Sequence, residues 1–211
     1  MSPKIVDRNE KRKQIGFVAL KHFAKYGFSA SSMSRIANAA GVGKGTMYEY
    51  FSSKEELINF SLTLYVEQIE QKVASLIAGI PNPKTRLRNY LHEVIQAIKN
   101  DPYTMGVLLA VFKKLVSDSQ DTEHTALLRG MFQSARTAIY NMIIEGVDKG
   151  IFRPEARQSA QSIAFNMIAF IDGLWLHALA DPRAFDLTAQ ANDYLDRLFY
   201  SITPGPKQID N

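Results

Sequence analysis

Lys44, Thr46, Tyr48 and Tyr50 gather an ammonium group, hydroxyls and two aromatic rings within one short stretch, directly after the turn-forming run Ala40-Gly41-Val42-Gly43. These groups suit a polyanion. The ammonium can pair with a phosphate, the hydroxyls can reach phosphate or base edges, and Gly45 lets backbone approach a duplex closely. If residues 44–50 are helical, the first backbone amides offer further sites for a phosphate oxygen. The surrounding charge agrees. Residues 1–54 hold ten basic and three acidic residues, a net +7, whereas the rest holds 15 basic and 18 acidic residues, a net −3. The whole-chain charge of +4 therefore hides a basic quarter on a slightly acidic remainder. Such asymmetry points to an end that faces a polyanion.

Other chemistries find little support. With no cysteine in 211 residues, disulfide scaffolds, Cys-based zinc sites, thiol nucleophiles and thiol redox chemistry are excluded. His22, His92, His124 and His177 are scattered, without metal-ligand spacing, and no glycine-rich phosphate loop is present. The expectation is a protein that is not an enzyme and that needs no metal or cofactor. No apolar run approaches the ~18–20 residues that span a bilayer. The start, MSPKIVDRNEKRK, lacks the apolar core of a secretory signal. A cytoplasmic protein without a membrane partner is expected.

Helices must position these groups. Prolines stand at 3, 81, 83, 102, 154, 182, 204 and 206, and the long proline-free blocks between them are helix candidates. Ile15, Ala19, Phe23 and Tyr26 recur at helical spacing, as do Leu57, Leu64, Ile69 and Leu76. No segment alternates as a strand does. The fold class is all-α, with about nine helices. Gly27 ends the first helix, and Ser53-Lys54-Glu55-Glu56 reads as a capping box. Asn82-Pro83 and Asp101-Pro102 each offer an N-cap followed by proline. Gly150 closes a helix that begins near Asp121. Pro154 opens the next, to about Ala180, and Asp186 caps a last one ending near Ile202. Within residues 31–54 the pattern predicts a helix over about 32–39, a tight turn at 40–43 and a second helix over about 44–50. Ile36, Ala37, Val42, Met47 and Phe51 lock the pair. That is a helix-turn-helix, whose second helix enters the major groove of DNA.

Residues 12–58 resemble the DNA-binding domain of the tetracycline-repressor (TetR) family. The resemblance rests on Phe23-Ala-Lys-Tyr-Gly-Phe28, Ile36-Ala37, Ala40-Gly41-Val42, Lys44-Gly45-Thr46, Tyr48, Tyr50-Phe51 and Ser53-Lys54-Glu55-Glu56-Leu57. Glu145-Gly146, Gly150-Ile-Phe-Arg-Pro154 and Asp172-Gly173-Leu174 extend it more weakly. Gly43 departs from the family, which often has a polar side chain there. The resemblance implies a homodimeric, ligand-responsive regulator, a repressor that binds a palindromic double-stranded operator and is released by a small effector. It further implies that Ser31, Ser32, Ser34 and Arg35 contact phosphate, with Ser34 or Arg35 reaching a base edge. Lys44, Gly45, Thr46, Tyr48 and Tyr50 lie in or beside the groove, and Lys54 lies on the backbone. Arg8, Lys11, Arg12 and Lys13 could extend this footprint or form a solvated arm.

The expected organisation is a three-helix DNA-binding domain over 1–54, a helical ligand-binding and dimerisation domain over 55–203 and a flexible tail over 204–211. The stretch 158–180 is apolar almost all round, which demands cover on every side. With the stripe of the last helix it suggests a four-helix interface between two copies, using Phe170, Leu174, Leu187, Tyr194, Leu195, Leu198, Phe199 and Ile202. Candidates for an effector cavity are Tyr65, Tyr90, Met105, Phe112, Phe132, Tyr140, Phe165, Asn166 and Trp175, and their aromatic bias favours an apolar or aromatic ligand. Two other readings stay open: a helical small-molecule-binding protein with an incidental basic end, and an architectural DNA binder without effector control.

Overall fold

The computed structural model describes residues 7–100, 123–181, 183 and 185–205. Eight helices and no strand occur among the described residues. They are α1 (Arg8–Tyr26), α2 (Met33–Ala39), α3 (Lys44–Tyr50), α4 (Lys54–Ile77), α5 (Pro83–Asn100), α6 (Glu123–Asp148), α7 (Ala156–Ala180) and α8 (Leu187–Ile202). The expected all-α class holds, and the helix count is close to the nine expected. The Asp101-Pro102 cap and the tail beyond Gly205 lie outside the described residues.

Local chemistry explains most ends. Asp7 caps α1 by accepting from Asn9 N at 2.9 Å, and Gly27, at φ 77°, ends it. Ser32 caps α2 through Arg35 N. Asn82 Oδ1 accepts from Lys84 N and Thr85 N at the start of α5, with Pro83 first in the helix, where its missing N–H costs nothing. Asp186 does the same for α8 through Thr188 N. The box at α4 closes differently from expectation. Ser53 Oγ accepts from Glu56 N at 3.0 Å, but the Glu56 carboxylate reaches one residue further back, to Ser52 N at 2.7 Å and Ser52 Oγ at 2.8 Å. At α7, Pro154 precedes the helix by two residues and no side chain caps it.

The described residues divide into two compact units, one of residues 7–71 with 123–128 and one of residues 72–100 with those described from 129 to 205. The core of the first is built by Ile15, Ala19, Leu20 and Phe23 of α1, Met33, Ile36 and Ala37 of α2, Met47 and Phe51 around α3, and Leu57, Ile58 and Leu62 of α4. Four of the five residues expected to lock the helix-turn-helix are buried, and Val42 packs partly buried against them. In the second unit α5 lies against α8, tied by Arg88–Asp196 at 2.6 Å. The α6–α7 corner is shaped by two glycines. Gly150 takes φ 65°, and Gly146 lies under the buried Phe152 ring while its carbonyl accepts from Ile151 N and Phe152 N. By length and composition α7 is apolar enough to cross a membrane. Here Met167, Ile171 and Leu174 are buried within the unit.

Candidate nucleic-acid interface

The turn between α2 and α3 is made by backbone. Gly41 adopts φ 65°, a left-handed conformation costly for other residues, and Val42 N donates to Ala37 O at 3.0 Å. Met47 is fully buried on the inner face of α3. Its neighbours are therefore turned outward. Tyr48 is 47 % exposed, Lys44 and Gly45 are exposed at the helix start, and Thr46 and Tyr50 are half-buried. Gly43 provides no side-chain cap. The first α3 amides therefore remain open to an outside acceptor.

The other sequence candidates divide sharply. Ser34 is exposed on α2. Arg35 is exposed, but its guanidinium donates to Ala30 O at 3.2 Å. Ser32 is engaged as the α2 cap. Ser31 is only 3 % exposed; its hydroxyl donates to Gly27 O at 2.7 Å and lies 3.0 Å from His22 Nδ1. Lys54 is turned inward, its Nζ donating to Phe28 O at 3.0 Å and Ser31 O at 3.2 Å, over the Phe28 ring. Burial, then Arg35 and Lys25, hold the His22 imidazole below its usual pKa, which favours the neutral ring. The N-terminal arginines also fold back. Arg8 donates to Glu49 O at 3.2 Å and faces the Tyr50 ring. Arg12 pairs with Glu56 at 2.9 Å and covers the rings of Phe51 and Phe60.

In the second unit, Tyr140, Phe165 and Asn166 come together along an open groove of about 510 Å³ between α6 and α7. Its other walls are Gln133, Arg136, Thr137, Gln161, Ser162 and Ala164, which the apolar reading of the sequence missed. For Arg136, Thr137, Gln161 and Ser162 the spacing from Tyr140 and Phe165, three or four residues, places them on the same helix faces. Tyr90 and Trp175 are buried, and Phe132 is half-buried. Tyr65 is half-buried in the first unit, and Met105 and Phe112 fall outside the described residues.

Of the residues expected at an interface between copies, Leu174, Leu195, Phe199 and Ile202 are buried by the chain's own helices. Phe170 stacks on Tyr194 at 4.1 Å, and Leu187 and Leu198 are half-buried. The large apolar side chains that stand exposed on α7 and α8 are Phe165, 58 % exposed, Leu176 and Tyr200. Asp172 stands on the same helix as Phe165 and Leu176.

Residues 18–59 match the family model of bacterial regulatory proteins of the tetR family, and residues 83–200 match that of the C-terminal part of BetI-type transcriptional repressors. The chain is 26 % identical over 182 residues to the HTH-type transcriptional regulator PksA of Bacillus subtilis (strain 168), covering 85 % of this chain and 84 % of the relative. It is 27 % identical over 187 residues to the HTH-type transcriptional regulator BetI of Escherichia coli O45:K1, covering 87 % and 90 %. Its fold is similar to that of a transcriptional regulator from Saccharomonospora viridis solved in complex with choline. That match has a TM-score of 0.76 at 20 % identity and covers 93 % of this chain and all of the other.

Proposed function

The chain belongs to the TetR family of bacterial transcriptional regulators, and on that premise we propose that it is a cytoplasmic repressor that binds a palindromic operator as a homodimer and is released by a small effector. The family is one of regulators and not of enzymes. The observation that carries the DNA-binding part is α3 itself. It is anchored by the buried Met47, so that Tyr48 and Lys44 face outward from a fixed base, and Lys44 has no partner among the described residues. Residues 1–54 act as the reading head, with Lys44, Gly45, Thr46, Tyr48 and Ser34 as its contacts. Residues 55–203 provide effector binding and self-association.

A single copy reads one half-site. Two copies bring two recognition helices to successive major grooves, about 34–36 Å apart. Support for self-association comes from α7 and α8, which leave Leu176 and Tyr200 exposed while Leu174, Leu195 and Phe199 are buried. For the effector, support comes from the groove, where Tyr140 and Phe165 offer rings to an apolar body and Asn166 offers a polar contact. The helix α4 begins in the first unit and runs into the second at residue 72. Like α6, which crosses between the units at residue 129, it is a continuous element through which an effector can bias DNA binding. The coupling equals the effector's differential affinity for the two states, typically ~1–3 kcal/mol.

The test has two steps. Duplexes enriched from a random-sequence library by the full chain should contain an inverted repeat bound by a dimer. Candidate effectors, with choline and aromatic acids among the probes, should then raise the melting temperature by binding the folded chain and, where they prefer the state that does not bind DNA, weaken that complex. Failure to enrich any sequence overturns the regulator reading. Enrichment without an effector response favours an architectural DNA binder.

A further inference from the structure

Lys54 begins α4, where the helix dipole disfavours a cation. What offsets that cost lies inside the chain. Its ammonium donates to Phe28 O at 3.0 Å and to Ser31 O at 3.2 Å, and it sits 4.2 Å from the centre of the Phe28 ring. Two charge-assisted hydrogen bonds and a cation–π contact thus bind α4 to the segment joining α1 to α2. That segment is held from its other side as well. Ser31 Oγ donates to Gly27 O at 2.7 Å, which leaves it to accept from His22 Nδ1 of α1 at 3.0 Å. The next residue, Ser32, is the cap that starts α2.

We propose that Lys54 is a positioning residue: a latch that fixes where α2 begins, and through α2 the seat of the reading helix α3. The sequence resemblance puts this lysine on the DNA backbone. The geometry instead spends its charge on two carbonyls of its own chain. The same first turn of α4 also grips α1 through Glu56–Arg12 at 2.9 Å and holds Ser52 through the Glu56 carboxylate. The first turn of α4 is thereby tied to α1, to the segment that leads into α2 and to Ser52 just after the reading helix, so a displaced α4 pulls on the supports of both α2 and α3. The buried Ser31 belongs to this latch, not to the DNA surface. The inference rests on the DNA-binding reading above.

The two roles have different signatures in salt. A lysine that neutralises a phosphate releases a counterion, so its removal makes the slope of log K against log[salt] shallower by about 0.9, on any sequence. A latch releases none. The assay is fluorescence anisotropy with the full chain, on a duplex enriched by the wild type and on an unrelated duplex of equal length, over a salt series below the melting transition. Lys54→Met and Ser31→Ala are compared with Lys44→Ala. The expected result is a loss of roughly tenfold or more on the enriched duplex for Lys54→Met, in keeping with charged hydrogen bonds. The slope should be unchanged, and binding to the unrelated duplex should stay within about twofold. Ser31→Ala should show the same pattern more weakly, which keeps the test decisive if Lys54→Met does not fold. Lys44→Ala should make the slope shallower on both duplexes. A shallower slope for Lys54→Met, with equal loss on both duplexes, overturns the proposal and restores the phosphate role. A lowered melting temperature with operator affinity intact in both variants also overturns it. A wild type that enriches no duplex overturns the DNA-binding reading, and this proposal with it.

Discussion

Lys44 and Tyr48 face outward from α3, whereas Arg8, Arg12, Arg35 and Lys54 are each engaged by a group of the same chain. The net +7 of the first 54 residues still raises the potential around the head, but fewer of its cations are free to meet phosphates one by one. Replacing both Lys44 and Tyr48 by alanine should abolish operator binding at moderate salt and move the melting temperature little, because neither side chain is buried; a titration and a thermal melt check this. Two carboxylates lean in opposite directions. The bonds from Ser52 N and Oγ, then Arg12, hold Glu56 below its usual 4.5. Its stabilising effect is present above that value and is lost as pH falls through the lower folded-state pKa. The gap in melting temperature between wild type and Glu56→Gln should therefore close on acidification below about 4.5. Asp172 is exposed to solvent on α7, yet desolvation by the groups packed around it pushes its carboxyl up to about 6. Here the folded state holds the proton more tightly than the unfolded one. Stability should fall as pH rises from 3.8 to about 6. Asp172→Asn should remove that slope and raise the melting temperature at pH near 7.

At the scale of elements, the two glycine-dependent corners differ in kind. Gly41 and Gly150 both sit at φ 65°, and a Cβ at either would meet nothing within 4 Å. Alanine there costs only backbone strain, ~1–2 kcal/mol each. Gly146 is helical, but a Cβ there would stand 2.1 Å from the Phe152 ring, which is itself buried and stacked on Phe199. Overpacking of this kind costs about 1–3 kcal/mol or more. Denaturant melts should rank Gly146→Ala as the more damaging of the two α6–α7 substitutions. Gly41→Ala should in addition weaken operator binding, because it re-aims α3. The pieces Glu145-Gly146 and Gly150-Ile-Phe-Arg-Pro154 thus read as one corner: a glycine turn that lays Phe152 onto a glycine floor.

For the whole molecule, the decisive quantity is the oligomeric state. Sedimentation should show a dimer that Leu176→Glu converts to a folded monomer. The monomer should lose operator binding far more than its reading head is disturbed, since two half-sites then bind without linkage. Leu174→Glu should instead unfold the second unit, because Leu174 is buried by its own chain. The contrast separates the outward face of α7 from its inward face.

The sequence by itself determined what is local. Helix spacing, the caps at Ser53, Asn82 and Asp186, the glycine ends and the helix-turn-helix all depend on residues within a few positions of one another. Four-residue periods and capping bonds close over those same distances, so they can be read off the chain. Only the tertiary structure decided where long side chains go. Lys54 finds its acceptors 26 and 23 residues away, Arg12 its partner 44 residues away, and α7 its covered face on helices elsewhere in the chain. A lysine or leucine in a helix has the same local signature whichever way it faces. Packing alone determines whether it meets solvent, a partner or its own backbone.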